Sequence, residues 1–383
     1  MNRNIKLLAY FNFLTDLIFY APVAIIYFAR VSGSYALGMS VFSTVFISAA
    51  VFEIPTGIFS DRIGRKNTVI LGSVANLIGF VFYALGIGYL YLIIGAIFEG
   101  LARSFFSGNN DALLHDWLKE NDRENEFHIY LGKLSSLFQI AAAVSALIGG
   151  IVAYRSFAWV MWISVIPKFL MVTVSLSLSD PHIISEKSSN IFSHLKESLR
   201  QFQTNQKLRL LTITSALRFG IGESAYLFRS VFVSLLWPLW AIGISNMMSN
   251  IFAATSSFFS GKLIDRFKPQ NILRFEIIFN RLINLTALFF PSVFSPALMT
   301  TTSLTYGVSQ ITTDTLLQKE FTQAQRATLG SLTSLFGSLL FGVFAIFLGK
   351  IGDVYGPVKA LIIANLLLLT PLLFYSKVFK SNE

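Results

Sequence analysis

Gly57-Ile58-Phe59-Ser60-Asp61-Arg62-Ile63-Gly64-Arg65-Lys66 lies where two long apolar blocks, 36–60 and 67–86, meet. Either block is long enough for a helix across a bilayer core, which takes about 20 apolar residues. Between them, Arg62, Arg65 and Lys66 are suited to hold helix ends at an anionic membrane surface. Gly64 permits a tight turn that a side chain would obstruct, and Gly57 lets a neighbouring helix approach closely. Asp61 is the odd residue, an anion in a cationic loop.

Outward from this junction the same pattern repeats. Further blocks run over 6–29, 89–113, 130–153, 157–179, 208–235, 238–260, 271–290, 294–317, 327–348 and 356–376. Hydrophobic residues make up 54% of the chain and charged residues 13%, against about 25% charged in soluble domains. Too few charges are present to coat a water-facing surface. Lipid leaves only helices or closed barrels, and barrel strands would alternate at every second residue, which these blocks do not. The expected fold is an all-α polytopic membrane protein with twelve transmembrane helices in two pseudo-symmetric bundles of six. The block 6–29 is too long for the apolar core of a signal peptide and is read as the first span.

The net charge of +10 follows from topology. With the N-terminus placed in the cytoplasm, twenty-one Lys and Arg residues fall in cytoplasmic segments, and only Arg30, Arg155, Lys350 and Lys359 fall on the other side. That asymmetry sets orientation and puts both termini in the cytoplasm. It also removes the need for a nucleic-acid partner, because the cations are spread over short loops. Cysteine is absent, and the four histidines, His115, His128, His182 and His194, show no metal-ligand spacing. No metal, no cofactor and no enzymatic nucleophile–base constellation is expected.

The most polar stretch, 180–206, divides the chain into 1–179 and 207–383, each with six blocks, joined by a cytoplasmic linker in which 191–202 suits a short amphipathic surface helix. The halves echo each other. Gly261-Lys262-Leu263-Ile264-Asp265-Arg266 follows the eighth block as Gly57–Arg62 follows the second, 204 residues earlier.

The stretch Gly57–Lys66 closely resembles the GxxxDRxGRK loop of the major facilitator superfamily, and it stands between the second and third blocks as that family requires. The degenerate copy at Gly261, Asp265 and Arg266, the preceding Glu53-Ile54-Pro55-Thr56, and Ser107-Gly108-Asn109-Asn110-Asp111 through His115-Asp116 add to the resemblance. It implies two six-helix halves that rock about a central solute site. It also implies that Asp61 braces the cytoplasmic end of helix 11, whose positive dipole end would face it. Without the resemblance, Asp61 need only neutralise its arginines. In the second copy Pro269 and Gln270 replace the last two cations, so Asp265 would brace helix 5 more weakly.

Ionisable residues inside apolar blocks are functional candidates, since burying a charge in lipid is costly. They are Asp16, Glu53, Glu99, Arg103, Lys168, Arg218, Glu223, Arg229 and Arg281. The resemblance implies a cavity lined by helices 1, 4, 7 and 10, and Asp16, Glu99, Arg103, Arg218, Glu223 and Arg229 fall on the first three of these. Asp16, near mid-membrane, reads as a proton-titrating carboxylate or a contact for a cationic solute, or else as an ion pair to a neighbouring helix. Glu99 and Arg103 are four residues apart and share a face, as a proton-responsive pair or a static one. Arg218 and Arg229 return to nearly one face after eleven residues and suit an anionic solute; Glu223 points about 140° away from Arg218. Glu53, before Pro55, reads as a gate or packing residue, and Asp111 and Asp116, near cytoplasmic ends, as solvated residues or members of gate ion pairs. Lys168 and Arg281 read as structural.

The expected function is proton-coupled export of small amphipathic solutes, driven by a proton gradient, by a monomer in the plasma membrane of a prokaryote. Two alternatives stand beside it: uptake of a small, anionic metabolite, and a non-transporting sensor of the same fold. One departure weighs on the exporter reading. Where many family antiporters carry Gly-Pro in helix 5, this chain has Ala141-Ala142-Ala143-Val144-Ser145-Ala146-Leu147-Ile148-Gly149-Gly150.

Overall fold

The structure is a computed structural model that describes residues 3–180, 200–321 and 326–380. The surface helix expected over 191–202 therefore lies mostly outside the described residues. Every described element is helical, and each of the twelve apolar blocks corresponds to one span. Spans 2 and 3 are Tyr35–Ile63 and Arg65–Leu85, spans 5 and 6 Phe127–Arg155 and Phe157–Leu176, spans 7, 8 and 9 Gln206–Leu236, Leu239–Arg266 and Pro269–Phe289, and span 11 Arg326–Tyr355.

The remaining four spans are broken, where the sequence reading had continuous helices. Span 1 stops at Asp16 and resumes through Ala21–Val23 into Ala24–Ser32. Span 4 is Tyr89–Phe106 followed by Asn109–Lys119, span 10 is Ser295–Thr300, Thr301–Thr305 and Tyr306–Glu320, and span 12 is Pro357–Leu367 followed by Thr370–Lys380. Hydropathy sees only the apolar run; partners on other helices decide whether the run stays wound. In span 4 the break is Ser107-Gly108, with Gly108 in the left-handed region at φ 71°, which a glycine adopts without a steric penalty.

Among the described residues, nine spans are long and apolar enough on their own to cross a membrane; spans 8, 9 and 10 are not among them. Span 9 carries Glu276, Asn280, Arg281 and Asn284, and both Glu276 and Asn280 are buried within the protein. Elsewhere large apolar rings stand exposed: Phe258 is 82% exposed and Phe294, in the turn before span 10, 77%. Such rings would be a liability in water and suit a lipid environment.

The chain divides into two compact units. The first holds Met1–Gly33, Thr44–Lys187 and Pro238–Met247; the second holds Ser34–Ser43, Ser188–Trp237 and Met248–Glu383. Each has its own apolar core. In the first, Leu8, Phe11, Val69, Leu113, Trp117 and Met171 gather spans 1, 3, 4 and 6. In the second, Leu211, Leu273, Ile277, Leu317, Leu329 and Tyr375 gather spans 7, 9, 10, 11 and 12. The unit boundary departs from the halves of the sequence at two places. The first residues of span 2 belong with the second unit, and the start of span 8 belongs with the first.

Candidate functional site

In the first unit the site begins with the break in span 1. A helix that stops leaves its last carbonyls without partners. Lys168 of span 6 supplies them: its Nζ donates to the carbonyl of Leu14 at 3.1 Å and to that of Thr15. On the far side of the break, the Tyr20 amide donates to Ser164 Oγ at 3.2 Å. Pro22 stands in the first turn of the resumed helix, where a missing N–H costs nothing. The carbonyl of Phe19 lies 1.7 Å from where a Cβ on Gly149 would stand, so only glycine fits there. The unwound segment is thus built into spans 5 and 6.

Asp16 ends the first half-helix, within electrostatic reach of Lys168 and Arg103. Glu99, 6% exposed, is held from two sides. Tyr83 Oη donates to its Oε2 at 2.8 Å, and Arg103 donates to its Oε1 through Nη2 at 2.8 Å and Nε at 3.2 Å. Arg103 also covers the ring of Phe46 at 5.2 Å. Span 4 can sit this close because its neighbours meet glycine. A Cβ on Gly95 would lie 2.8 Å from the Gly79 carbonyl of span 3, and one on Gly100 would lie 2.6 Å from the Val45 carbonyl of span 2. Tyr20, Phe28, Phe80 and Tyr83 pack ring to ring beside this cluster. The structure therefore joins Asp16, Glu99 and Arg103, as candidates, with Lys168, which the sequence reading had set aside as structural.

The loop between spans 2 and 3 meets the end of span 4. Arg65 forms an ion pair with Asp116, Ser60 donates to Asn109 Oδ1 at 2.7 Å, and Ser107 donates to Glu53 Oε1 at 2.9 Å. The two stretches that carried the family resemblance are thus in contact. Gly64 sits at φ 88°, so the turn depends on its backbone freedom. Arg62 and Asp111 are exposed and Lys66 is half-buried. The Asp61 side chain lies outside the described residues. The expectation for Gly57 is corrected: among the described residues nothing stands within 4 Å of where its Cβ would be, so it makes no close helix contact, and the same holds for Gly261. Asp265 and Arg266 are exposed.

The second unit corrects the reading of Arg218 and Arg229 as two arginines presented together to a solute. Arg218 is consumed by internal partners. Its Nη2 reaches Glu276 Oε2 at 2.9 Å and Ser309 Oγ at 3.1 Å, and its Nη1 reaches Thr313 Oγ1 at 3.1 Å and Tyr375 Oη at 3.0 Å. Glu276 in turn accepts from Asn280 at 2.8 Å. Arg229, 6% exposed, donates to Ser249 Oγ at 2.8 Å and to the Met299 carbonyl at 3.3 Å. Helical spacing reports which face a residue shares, but not the partners waiting on other helices. Glu223 is half-buried and within electrostatic reach of Tyr226 and Tyr306. Glu276 was missed in the sequence, although its place inside an apolar block, with Arg281 a turn and a half on, was the available signal.

Comparison with known proteins agrees with this architecture. A family model described as Major Facilitator Superfamily matches residues 7–339. The chain is 26% identical over 193 residues to the inner membrane transport protein YajR of Escherichia coli, covering 49% of this chain and 39% of that protein. It is 29% identical over 142 residues to an uncharacterized transporter of Buchnera aphidicola, covering 37% of this chain and 36% of that one. With an MFS-type efflux pump of Pseudozyma antarctica it shares 27% identity over 108 residues, 28% of this chain and 19% of the pump. The matched segments thus span less than half of each of these relatives. Among solved structures, the nucleoside transporter NupG superposes with a TM-score of 0.78 at 15% identity, over 99% of this chain and 100% of that one. A D-xylose–proton symporter superposes with a TM-score of 0.73 at 15% identity, over 97% and 96%. At that identity the likeness is one of fold.

Proposed function

This chain belongs to the major facilitator superfamily, and from that premise we propose that it moves a small organic solute across the cytoplasmic membrane by alternating access, exporting it in exchange for protons. The observation that carries this reading is the cluster of Asp16, Glu99, Arg103 and Lys168 around the break in span 1. Charges so placed are costly to keep in a membrane and mark proton or solute pathways. Glu99 is buried while the Arg103 side chain is 46% exposed. A proton taken up by the Glu99 carboxylate would cancel the charge that holds Arg103, which keeps its own charge and becomes free to swing. That is a two-state element a proton gradient can bias.

Other features support the finer points. The engagement of Arg218 and Arg229 within their own unit leaves them poorly suited to an anionic solute, which favours a neutral or cationic amphipathic one. Similarity to an efflux pump favours export. The asymmetry of Lys and Arg supports cytoplasmic termini, and similarity to an inner membrane transport protein supports that location. The Arg65–Asp116 pair fixes the loop from which Asp61 would brace span 11 when the inner gate shuts. We take the working unit to be a monomer, with the proton gradient as its energy source and no cofactor or enzymatic step.

The test is flux in proteoliposomes of purified protein, with an amphipathic dye as solute and an imposed pH gradient. Wild-type flux should follow the gradient. Asp16→Asn, Glu99→Gln and Glu223→Gln should each weaken that dependence. Flux indifferent to pH would remove the coupling, and no flux from any version would favour a non-transporting sensor.

A further inference from the structure

The Lys168 side chain is fully buried, at 0% exposure. Its Nζ contacts the carbonyls of Leu14 and Thr15, which end the half-helix Arg3–Asp16. Those groups are orphaned by the break and carry the negative end of the half-helix dipole. The ring of Phe80 lies 4.6 Å from the ammonium and offers its negative face. The charged groups that act on it are Asp16 and Glu99, which attract it, and Arg103, which opposes it.

A desolvated ammonium and a desolvated alkali-metal ion need the same surroundings, namely oxygen ligands and a negative field. Hard cations take carbonyl and carboxylate oxygens, and broken membrane helices offer such carbonyls at half-helix C-terminal ends to coupling ions. We propose that Lys168, in its protonated form, is a tethered cation that fills a monovalent-cation site at the break in span 1. The protein then needs no dissolved sodium there, and shortening Lys168 turns the break into a site for sodium or lithium.

The test uses the purified full chain in detergent and reads its melting temperature in sodium chloride against choline chloride at constant ionic strength. Wild type should melt at the same temperature in both salts. Lys168→Ala and Lys168→Ser, which leave room beside the carbonyls, should melt several degrees lower in choline and recover with added sodium in a saturable way, as a ligand that binds the folded state requires. Lys168→Met, which fills the space without charge, should melt low in both salts. The proposal is overturned if Ala and Ser ignore sodium, if neither is recovered folded in either salt, if Met responds as Ala does, or if wild type is itself stabilised by sodium. Transport is not measured in this experiment, so its failure and the failure of the export reading remain distinguishable.

Discussion

Asp353, near the end of span 11, accepts hydrogen bonds from the first backbone amides of span 2, Tyr35 at 2.7 Å and Ala36 at 3.0 Å. The carboxylate does the work of an N-cap from another helix and meets the positive end of that helix's dipole. Gly349, one turn earlier, makes room: a Cβ there would stand 2.6 Å from the Tyr35 carbonyl. Loss of the cap should cost about 1 kcal/mol. Asp353→Ala should lower the melting temperature modestly and raise thiol labelling of Leu37→Cys, the single thiol in a chain with no native cysteine. Asp353→Asn, which keeps an acceptor without the charge, should fall between. Labelling unchanged in both variants would remove the role of this contact.

Arg218 and Glu276 should behave as a buried pair whose members depend on each other. Removing one partner of such a pair typically costs about 3–5 kcal/mol because the other charge is stranded. Arg218→Leu alone should therefore melt well below Arg218→Leu combined with Glu276→Leu. A double-mutant cycle on thermal unfolding measures the coupling, and additive effects would contradict the geometry.

Two glycines should respond in opposite directions. Gly149→Ala drives a methyl into the Phe19 carbonyl, and forced overpacking of this kind costs about 1–3 kcal/mol or more. Gly57→Ala meets nothing among the described residues, and alanine is favoured over glycine within a helix by about 1 kcal/mol. The first variant should melt lower than wild type and the second no lower. Matched unfolding curves decide this.

The Arg65–Asp116 ion pair predicts rescue by exchange. Arg65→Asp should place two carboxylates together and weaken the loop. Adding Asp116→Arg should restore much of the loss, on the order of 1 kcal/mol for a partly exposed pair. Limited proteolysis at the loop between spans 2 and 3 is the readout, and equal cleavage of the single and double variants would contradict the prediction.

The twelve spans were legible because each is a long apolar run, and Gly64 was legible because a charged loop after such a run needs a turn. The breaks were not. Span 1 reads as unbroken from 6 to 29 until Ser164, Lys168 and Gly149, more than a hundred residues away in sequence, are seen to receive its unwound backbone. Asp16, Glu99 and Arg103 could be picked out as charges in apolar blocks. Tyr83 and Phe80 could not, since aromatic residues are common throughout the chain. Asp353 gave no signal either, because its partners are backbone amides, which every residue but proline possesses.

Span 2 contributes its first nine residues to one unit and the rest to the other, yet Tyr35–Ile63 is a single unbroken helix of 29 residues. At the usual rise it is a beam of about 43 Å. It is hooked at one end by Asp353 and stitched near the other by Ser107 at Glu53 and Asn109 at Ser60. The weak point for flexing is Pro55, which withholds one hydrogen bond from the helix. Pro55 is therefore where this long helix bends most readily.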